Sequence, residues 1–346
     1  MLVAELYAQR RFRIAERARE DPAPGEVEVR VAAVGICGSD LHNFAEGGIG
    51  DTPCVYPMVL GHEPTGSVVR TGPGVSGWAA GDRAALEPAI YCYHCEFCMS
   101  GRHNVCSNLR FMSAPRDPGF FREYVNLPAL NLLPLPREVS PAAWTLFEPL
   151  AVALHSMKFA AVQAGERVAV FGAGPIGLLT IAVLRLSGAG RIWAVEPVAA
   201  RRELALKIGA DAAIDPAAVD PVRELLKDTG GRGVDVAMDC AARGESMNQA
   251  LGAARNAGRV VITGIASEVR VPLDFHVMRR KELALFNVRR SNHESETALE
   301  LLRDQPQRFA AILTHEAPLG AIERAFAMLE GYQDGVGKVV IGVSAT

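Results

Sequence analysis

Short apolar runs separated by turn residues fill the first 150 residues, for example 27–37 and 65–71, with a Pro/Gly-rich stretch at 114–119. This pattern indicates a mostly β region. From residue 167 onward, apolar strands alternate with helical segments at intervals of about 20–25 residues. Their predicted strand starts are Arg167, Arg191, Asp211, Val234, Arg259 and Leu283. Six such strands with intervening helices predict a parallel, doubly wound sheet.

An uncharged run at 168–184 resembles a membrane span in length, but glycines and a proline interrupt its middle. A buried strand, a glycine turn and a buried helix explain this run better than a membrane helix. The segment from 294 to 346 carries two helical patterns and a final strand at 338–343. Periodicity alone does not say which half of the chain this segment joins.

A GxGxxG sequence follows the first predicted strand of the second half and opens a helix. Gly172 is predicted to make the tight turn, Gly174 to let the backbone approach a pyrophosphate, and Gly177 to let helix and strand pack closely. The next strand ends at Glu196, whose carboxylate suits a ribose 2′-hydroxyl and repels a 2′-phosphate, which favours NAD over NADP. Arg201 lies close by in sequence and could instead accommodate that phosphate.

Four of the seven cysteines lie within fifteen residues, at positions Cys92, Cys95, Cys98 and Cys106. Four thiolates complete a tetrahedral zinc site with no open position, so the spacing predicts a structural zinc. The alternatives are a redox pair and an iron–sulfur cluster, although the fourth cysteine of such a cluster is usually spaced differently.

A second group of potential ligands lies on predicted loops just after apolar runs. Cys37, His62 and Glu63, with Glu148 further along, offer a thiolate, an imidazole and carboxylates. Three firm ligands leave a position for water or substrate, as in catalytic zinc sites. Taken singly, each residue could equally be a packing or surface residue.

Composition and charge limit the class of partner. The chain has 346 residues, 49% of them hydrophobic, and a formal charge of −3 from 36 basic and 39 acidic residues. Because the two signs of charge are mixed, the sequence shows no basic patch that would bind nucleic acid or an anionic membrane. We therefore expect a small-molecule partner. The N-terminus resembles no export signal, so we expect a cytoplasmic location, where clustered thiols more often bind metal than form disulfides.

Six motifs in order make the chain similar to the zinc-dependent medium-chain dehydrogenase/reductase family. They are GICGSDLH at 35–42, GHEPTG at 61–66, GDR at 81–83, the four-cysteine loop, EPL at 148–150 and GAGPIG at 172–177. Within the family the chain most resembles the sorbitol or L-iditol 2-dehydrogenase group, through Glu63 after His62, EPL, and RRSN at 289–292.

The resemblance implies an α/β fold in which a GroES-like, mostly β catalytic domain is joined to a Rossmann domain. It predicts a catalytic domain from 1–150 and 291–346 with a zinc lobe near 88–110, and an NAD-binding domain from 151–290. It also implies two zinc ions per chain, one catalytic and one structural, and a homotetramer or dimer.

The resemblance also assigns roles to residues. Cys37, His62 and Glu63 would hold the catalytic zinc, and Glu148 would be a fourth ligand or a hydrogen-bond partner of the water on the metal. Ser39 and His42 would relay the substrate proton. The expected cofactor contacts are Gly172, Gly174, Pro175, Ile176, Gly177, Glu196, Arg201, Thr263, Gly264, Ile265, Asn287, Val288 and Arg289.

Substrate contacts are expected at Phe111, Glu148, Arg289 and Arg290. Two positions depart from the polyol group: Asn43 and Arg290 stand where its members often carry Tyr. The function predicted is NAD-dependent oxidation of a polyol's secondary alcohol to a ketose. The alternatives are a related zinc enzyme acting on threonine, a diol or a simple alcohol, and a nucleotide-binding protein without catalysis.

Overall fold

The computed structural model describes residues 1–136 and 140–344. Residues 137–139, 345 and 346 of the predicted catalytic domain lie outside the described residues. The first part of the chain contains, in order, β1 (Leu2–Ala8), β2 (Arg11–Glu16), β3 (Glu26–Gly35), α1 (Gly38–Glu46), β4 (Gly48–Ile49), β5 (Thr52–Pro53), β6 (Glu63–Thr71), β7 (Arg83–Leu86), β8 (Ala89–Ile90), α2 (Glu96–Met99), β9 (Arg110–Phe111), β10 (Tyr124–Pro128), β11 (Leu132–Pro134), α3 (Pro141–Trp144) and α4 (Phe147–Ala160).

The second part alternates strands and helices before the chain returns to the first part. It contains β12 (Arg167–Phe171), α5 (Pro175–Leu186), β13 (Arg191–Val195), α6 (Ala199–Ile208), β14 (Ala212–Ile214), α7 (Pro221–Asp228), β15 (Val234–Asp239), α8 (Ser246–Ala253), β16 (Ala254–Ile262), α9 (Phe275–Lys281), β17 (Ala284–Asn287), α10 (Ser295–Asp304), α11 (Pro306–Ala310), β18 (Leu313–Pro318), α12 (Ile322–Glu330) and β19 (Lys338–Gly342). Short 3₁₀ turns lie at His103–Val105, Ala129–Asn131, Leu319–Ala321 and Gln333–Gly335.

The first part is built on a mostly antiparallel sheet. Its strand order is β11-β7-β6-β3-β19-β18, and β10 also pairs with β3. The long strand β3 pairs with β6 so that Gly35 lies opposite Glu63. The end of β3 and the start of β6 therefore lie side by side, which brings the residues just beyond these two strand ends together.

The second part forms the predicted parallel sheet. Its order is β14-β13-β12-β15-β16-β17 and every pairing is parallel. Counted along the chain, this is the 3-2-1-4-5-6 order of doubly wound dinucleotide-binding sheets. The expectation of a GroES-like mostly β part joined to a Rossmann sheet is confirmed. The order reverses between β12 and β15, and ligands of such sheets bind at the carboxyl ends of the strands near that point.

The parallel sheet is buried on both faces. Along β12, Val168 and Val170 belong to one hydrophobic cluster, and Ala169 and Phe171 to another on the opposite face. Alternate side chains of a strand point to opposite faces, and each fully buried aliphatic or aromatic side chain contributes about 1.5–3 kcal/mol. The uncharged run at 168–184 is thus strand, turn and helix, as predicted. No helix within the described ranges is long and apolar enough to cross a membrane.

The last segment of the chain contacts both parts. Helix α11 packs against α5 of the parallel-sheet part, whereas β18 pairs with β19 and β19 pairs antiparallel with β3. The final strand thereby returns to the sheet that carries the predicted metal ligands. The exact domain boundaries given above stay a prediction.

Candidate metal and nucleotide site

Three predicted metal ligands meet where β3 and β6 begin to diverge. Cys37 follows β3 as the N-cap of α1, and His62 and Glu63 stand at the start of β6. The ligand atoms of Cys37, His62 and Glu63 lie within 4.8 Å of one another. His62 and Glu63 are buried and Cys37 is half-buried. A thiolate, an imidazole and a carboxylate at this spacing form a donor set that suits Zn²⁺.

His62 is held from behind by a carboxylate. Its Nδ1 lies at ion-pair distance, 3.3 Å, from Asp40 Oδ1. That oxygen accepts hydrogen bonds from the Gly61 N–H at 3.2 Å and the Ser113 hydroxyl at 3.0 Å. Burial by itself lowers the pKa of His62, but Asp40 and Cys37 outweigh it and raise that pKa well above its usual range. A carboxylate on Nδ1 orients the ring and leaves Nε2, which lies 3.4 Å from Ser39 Oγ, available to a metal.

Asp40 is a functional residue that the sequence reasoning did not single out. It is fully buried, and its second oxygen accepts the Cys37 N–H at 3.2 Å. Although burial opposes its charge, contact with His62 and the N–H groups of Cys37 and Gly61 lowers the pKa of Asp40. Its position three residues after Cys37, in the first turn of α1, is the signal that could have identified it.

Glu63 has a second partner that the sequence did not suggest. Lys338, the first residue of β19, forms an ion pair with Glu63 Oε2, and both side chains are buried. The other oxygen, Oε1, has no hydrogen-bond partner among the described residues. This carboxylate oxygen is buried without a donor and lies beside an imidazole and a thiol. Such a group of atoms suits a bound cation, which would satisfy the oxygen.

Glu148 lies in the first turn of α4 and lines the same cavity. It is outside the group of atoms that lie within 4.8 Å of one another. Burial, with the carboxylates of Glu63 and Glu87, raises the pKa of Glu148 to about 8, while His62 and Lys338 act in the opposite direction. As arranged here, Glu148 is a neighbour of the three-ligand cluster.

The four cysteines of the lobe form a closed cluster. Their sulfurs lie within 4.8 Å of one another, and the Cys92–Cys98, Cys95–Cys106 and Cys92–Cys106 distances are 4.0, 3.9 and 3.5 Å. These values exclude disulfides and match the separation of about 3.8 Å expected for four sulfurs at about 2.3 Å from one zinc.

Backbone N–H groups support thiolates in this lobe. The N–H of Cys95 points at Cys92 Sγ at 3.4 Å, and that of Cys98 at Cys95 Sγ at 3.5 Å. Such donors, with the backbone of His94 the largest contributor, lower the pKa of Cys92 to about 5. The donor set therefore fits a structural zinc held by all four residues.

The glycine-rich turn has the geometry that a bound pyrophosphate requires. Gly172 has φ of +89°, which favours glycine, and a Cβ on Gly177 would lie 1.9 Å from the Gly172 carbonyl oxygen. Gly174 is the N-cap of α5, with Pro175 at its first position. The helix N-terminus consequently faces the cavity with free N–H groups.

The acidic residue after β13 forms hydrogen bonds with the backbone of this turn. Glu196 is buried and accepts hydrogen bonds from the N–H groups of Ala173 at 2.7 Å and Val198 at 2.9 Å. Two such bonds leave acceptor capacity on the carboxylate for a ribose hydroxyl. Arg201 lines the same region, with its guanidinium carbon 4.7 Å from the Tyr332 ring centroid.

One cavity of about 820 Å³ joins the metal cluster to the glycine turn. Most of the remaining predicted site residues line it: Ser39, His42, Phe111, Thr263, Gly264, Ile265, Val288, Arg289 and Arg290. Asn287 and Gly177 do not line it; Asn287 ends β17, and Gly177 packs against the turn. The volume is within the range of small-molecule and cofactor sites.

Comparisons with known proteins agree with this geometry. Residues 23–137 match the family model of the alcohol dehydrogenase GroES-like domain, and residues 175–304 match that of the zinc-binding dehydrogenases. A sorbitol dehydrogenase from Bacillus subtilis is 32% identical over 302 residues, which are 87% of this chain and 86% of that protein.

Two further proteins extend the comparison. An L-threonine 3-dehydrogenase from Pyrococcus horikoshii is 36% identical over 324 residues, covering 92% of this chain and 91% of that protein. The solved structure of a zinc-binding dehydrogenase from Sinorhizobium meliloti 1021, bound to NADP, superposes with a TM-score of 0.88 at 29% identity and covers 99% of both chains. The chain therefore belongs to the zinc-dependent medium-chain dehydrogenase/reductase family and is an oxidoreductase of its alcohol and polyol dehydrogenase type.

Proposed function

We propose that the protein oxidises a secondary alcohol of a polyol to a ketone, with NAD accepting the hydride and zinc at the Cys37, His62 and Glu63 cluster. One observation carries the proposal: a single cavity contains both this cluster and the glycine turn at the switch point of the parallel sheet. A substrate in that cavity can contact a metal and a nicotinamide together. Similarity to sorbitol dehydrogenase supports a polyol.

In this mechanism the chain's residues hold the cofactors and move a proton. When bound, zinc supplies Lewis-acid stabilisation of the deprotonated substrate oxygen, and oxidised nicotinamide takes up the hydride. Asp40 keeps His62 oriented, and Lys338 neutralises Glu63. The Cys92, Cys95, Cys98 and Cys106 lobe would hold the second, structural zinc.

The proton needs a path to solvent. Ser39 Oγ lies 3.4 Å from His62 Nε2, at the cluster, and His42 lies one turn further along α1. His42 Nδ1 is 3.0 Å from Glu46 Oε2, whose side chain is partly exposed. Ser39 would accept the hydroxyl proton, and His42 with Glu46 would pass it to water.

The preferred cofactor is tested at Glu196. Its buried carboxylate beside the turn supports NAD, whereas Arg201 and the NADP-bound neighbour favour measuring both cofactors. We expect the parent protein to prefer NAD and Glu196→Ala to narrow that preference, measured as kcat/KM with each cofactor. Equal use of NAD and NADP by the parent would contradict the role given to Glu196.

Substrate and metal are tested together. NADH formation is measured with sorbitol, xylitol, a diol, L-threonine and ethanol, and zinc is counted by mass spectrometry. We expect turnover of polyols and two zinc ions per chain, with Cys37→Ser losing one zinc and all activity and Cys54→Ser, a thiol outside both clusters, losing neither. Wild-type turnover by Cys37→Ser would refute the mechanism.

L-Threonine is the second candidate substrate, because the Pyrococcus horikoshii relative is 36% identical over most of both chains. Faster turnover of threonine than of any polyol would favour it. We also propose the domain boundaries given above and a homo-oligomer, which light scattering of the zinc-loaded protein would test.

A further inference from the structure

A half-buried arginine at the rim of the metal cluster has no hydrogen-bond or ion-pair partner among the described residues. Arg290 follows β17 and Arg289, and its φ of +55° is unusual for a bulky residue. The side-chain amide of Asn104 donates to the Arg289 carbonyl at 3.0 Å and holds this turn. Strained backbone of this kind is concentrated at functional sites, and here it accompanies a side chain that lines the cavity.

The guanidinium lies close to the reacting centre. Its Cζ is 3.7 Å from the ring centroid of Phe111, and that centroid is 5.3 Å from the centroid of His62. Because these two distances can at most add, the Arg290 cation lies within about 9 Å of the imidazole of the metal cluster. One small substrate can therefore touch both.

Its hydrogen-bonding capacity is unused. Nη1 of Arg290 is buried without a hydrogen-bond partner, and within the described ranges the side chain forms no ion pair. Two other arginines have a buried orphan nitrogen, but Arg122 donates to the Pro118 carbonyl and Arg308 to the Ile208 carbonyl. Arg290 differs from both because, among the described residues, its guanidinium contacts the Phe111 ring and donates no hydrogen bond.

The charge of Arg290 persists despite burial. Burial lowers its pKa to about 10, which still leaves it protonated at neutral pH. The charged or titratable groups that face it are Glu87, Tyr91, Glu148 and Arg289. The cation–π contact with Phe111 recovers only part of the free energy that burying an ion costs. Glu148, Tyr91 and Glu87 offset the burial only in part, since the pKa is still lowered, and the remaining deficit suits an anion that arrives with the substrate.

We propose that Arg290 binds a carboxylate of the substrate, so that the preferred substrate is a hydroxy acid of the sugar-acid class instead of a neutral polyol. This rests on the proposed function and narrows its substrate. A planar guanidinium matches one carboxylate through two parallel hydrogen bonds and balances its single charge. A phosphate monoester carries nearly two negative charges, so Glu87 and Glu148 would repel it more strongly than a carboxylate. A carboxylate is therefore favoured over a phosphate at this position.

The oxidation itself is unchanged. The substrate hydroxyl loses its proton to the relay, the carbinol carbon gives its hydride to the oxidised nicotinamide, and a C=O bond forms. The carboxylate is neither made nor broken, and the product is a keto acid. Arg290 acts by contacting the substrate at the end remote from the metal cluster.

The test compares substrates that differ only at one end. The pairs are gluconate with sorbitol, galactonate with galactitol, and xylonate with xylitol, and sorbitol phosphate supplies the phosphate arm. We measure kcat/KM with NAD and, separately, calorimetric binding to the NADH-loaded protein, in which no oxidation occurs. We expect each acid to exceed its neutral partner by about 10- to 100-fold, the size of a charge-assisted hydrogen bond.

Three variants assign the effect to the guanidinium. Arg290→Gln should lose this preference, because kcat/KM should fall by about 10-fold or more further for the acid than for its neutral partner. Arg290→Lys should fall between the parent and the glutamine variant because it keeps the charge without the planar fork. Arg280→Gln, an exposed arginine of α9, is the matched control and should behave as the parent. If the glutamine variant does not fold, Arg290→Lys tests the same preference for the acid by itself.

The outcomes separate the two proposals. Three results would each overturn the carboxylate site. Neutral polyols could be bound and oxidised as well as their acids, Arg290→Gln could lower kcat/KM equally for both, or sorbitol phosphate could be preferred to gluconate. Gluconate binding that depends on Arg290, without oxidation of any alcohol, would support the carboxylate site and refute the proposed function. Turnover of neutral polyols with no dependence on Arg290 would support the proposed function and refute the carboxylate site.

Discussion

Lys338 and Glu63 form a buried ion pair that joins the last strand of the chain to a metal ligand near its beginning. The two side chains are 1% and 0% exposed. The pairing of β19 with β3 places Lys338 beside the start of β6, where Glu63 stands. The carboxylate thus faces a lysine on one side and His62 and Cys37 on the other.

Removing this lysine should leave a charge stranded in the core. We expect Lys338→Met to lower the free energy of unfolding of the chelator-treated protein by about 3 kcal/mol, because an unpaired buried carboxylate is costly. Urea unfolding measures it. The double variant Lys338→Met/Glu63→Gln should recover part of the loss. Lys227→Met, which breaks an exposed pair with Glu224 at 3.5 Å, should cost less than about 1 kcal/mol. Equal losses in the two single variants would contradict the finding.

Asp40 should determine metal affinity without touching the metal. Asp40→Asn keeps the size of the side chain but removes the charge behind His62. We expect zinc affinity at the Cys37 cluster to fall by about 10- to 100-fold, the usual effect of losing such a partner. Competition with a chromophoric chelator gives the value. Ser113→Ala, which removes one donor to Asp40, should have a smaller effect. Unchanged affinity in Asp40→Asn would show that the carboxylate does not orient the ring.

Gly35 should be required because any side chain at this position would collide with Glu63, and not because of its backbone conformation. A Cβ at this position would lie 2.0 Å from Glu63 Oε2 and 3.0 Å from Lys338 Cε. We expect Gly35→Ala to displace the carboxylate and to lose one of the two zinc ions, measured by metal content. Gly38→Ala is the matched control, since a Cβ there meets no atom within 4 Å, and should keep its metal. Full zinc in Gly35→Ala would mean that Glu63 is not a ligand.

Asp235 should make stability depend on acid pH. Burial opposes its charge, but Arg232, Arg255 and the Arg167 N–H outweigh burial and lower the pKa of Asp235 from 3.8. On acidification the unfolded chain takes up this proton first, so the stabilisation is present above about pH 4 and is lost as the pH falls further.

Asp235→Asn tests this dependence. We expect about 2 kcal/mol of destabilisation at neutral pH, shrinking below pH 4, because the buried carboxylate that pairs with two partly exposed arginines is removed. Urea unfolding across pH gives both values. Asp304→Asn, in an exposed pair with Arg303, should cost less than about 1 kcal/mol at every pH. A constant difference between the parent and Asp235→Asn would refute the assignment.

Much of the nucleotide-binding half could be predicted because its signals are local. The glycine spacing 172–177 and the alternation of strands with helices depend on residues close in sequence. The four-cysteine lobe is local in the same sense, since its ligands lie within one short loop. Periodicity could not assign the last segment, because pairing of β19 with β3 joins residues about 300 apart in sequence.

The sequence by itself determined the types of chemistry: two groups of metal-ligating side chains, a phosphate-binding turn and an acid after the second strand of the parallel sheet. Tertiary structure alone decided which groups face one another. It set Asp40 behind His62, Lys338 against Glu63 and the Arg290 guanidinium on Phe111. The physical reason is that charge compensation in a buried site depends on distances between strands and loops far apart in the chain, which no local pattern encodes.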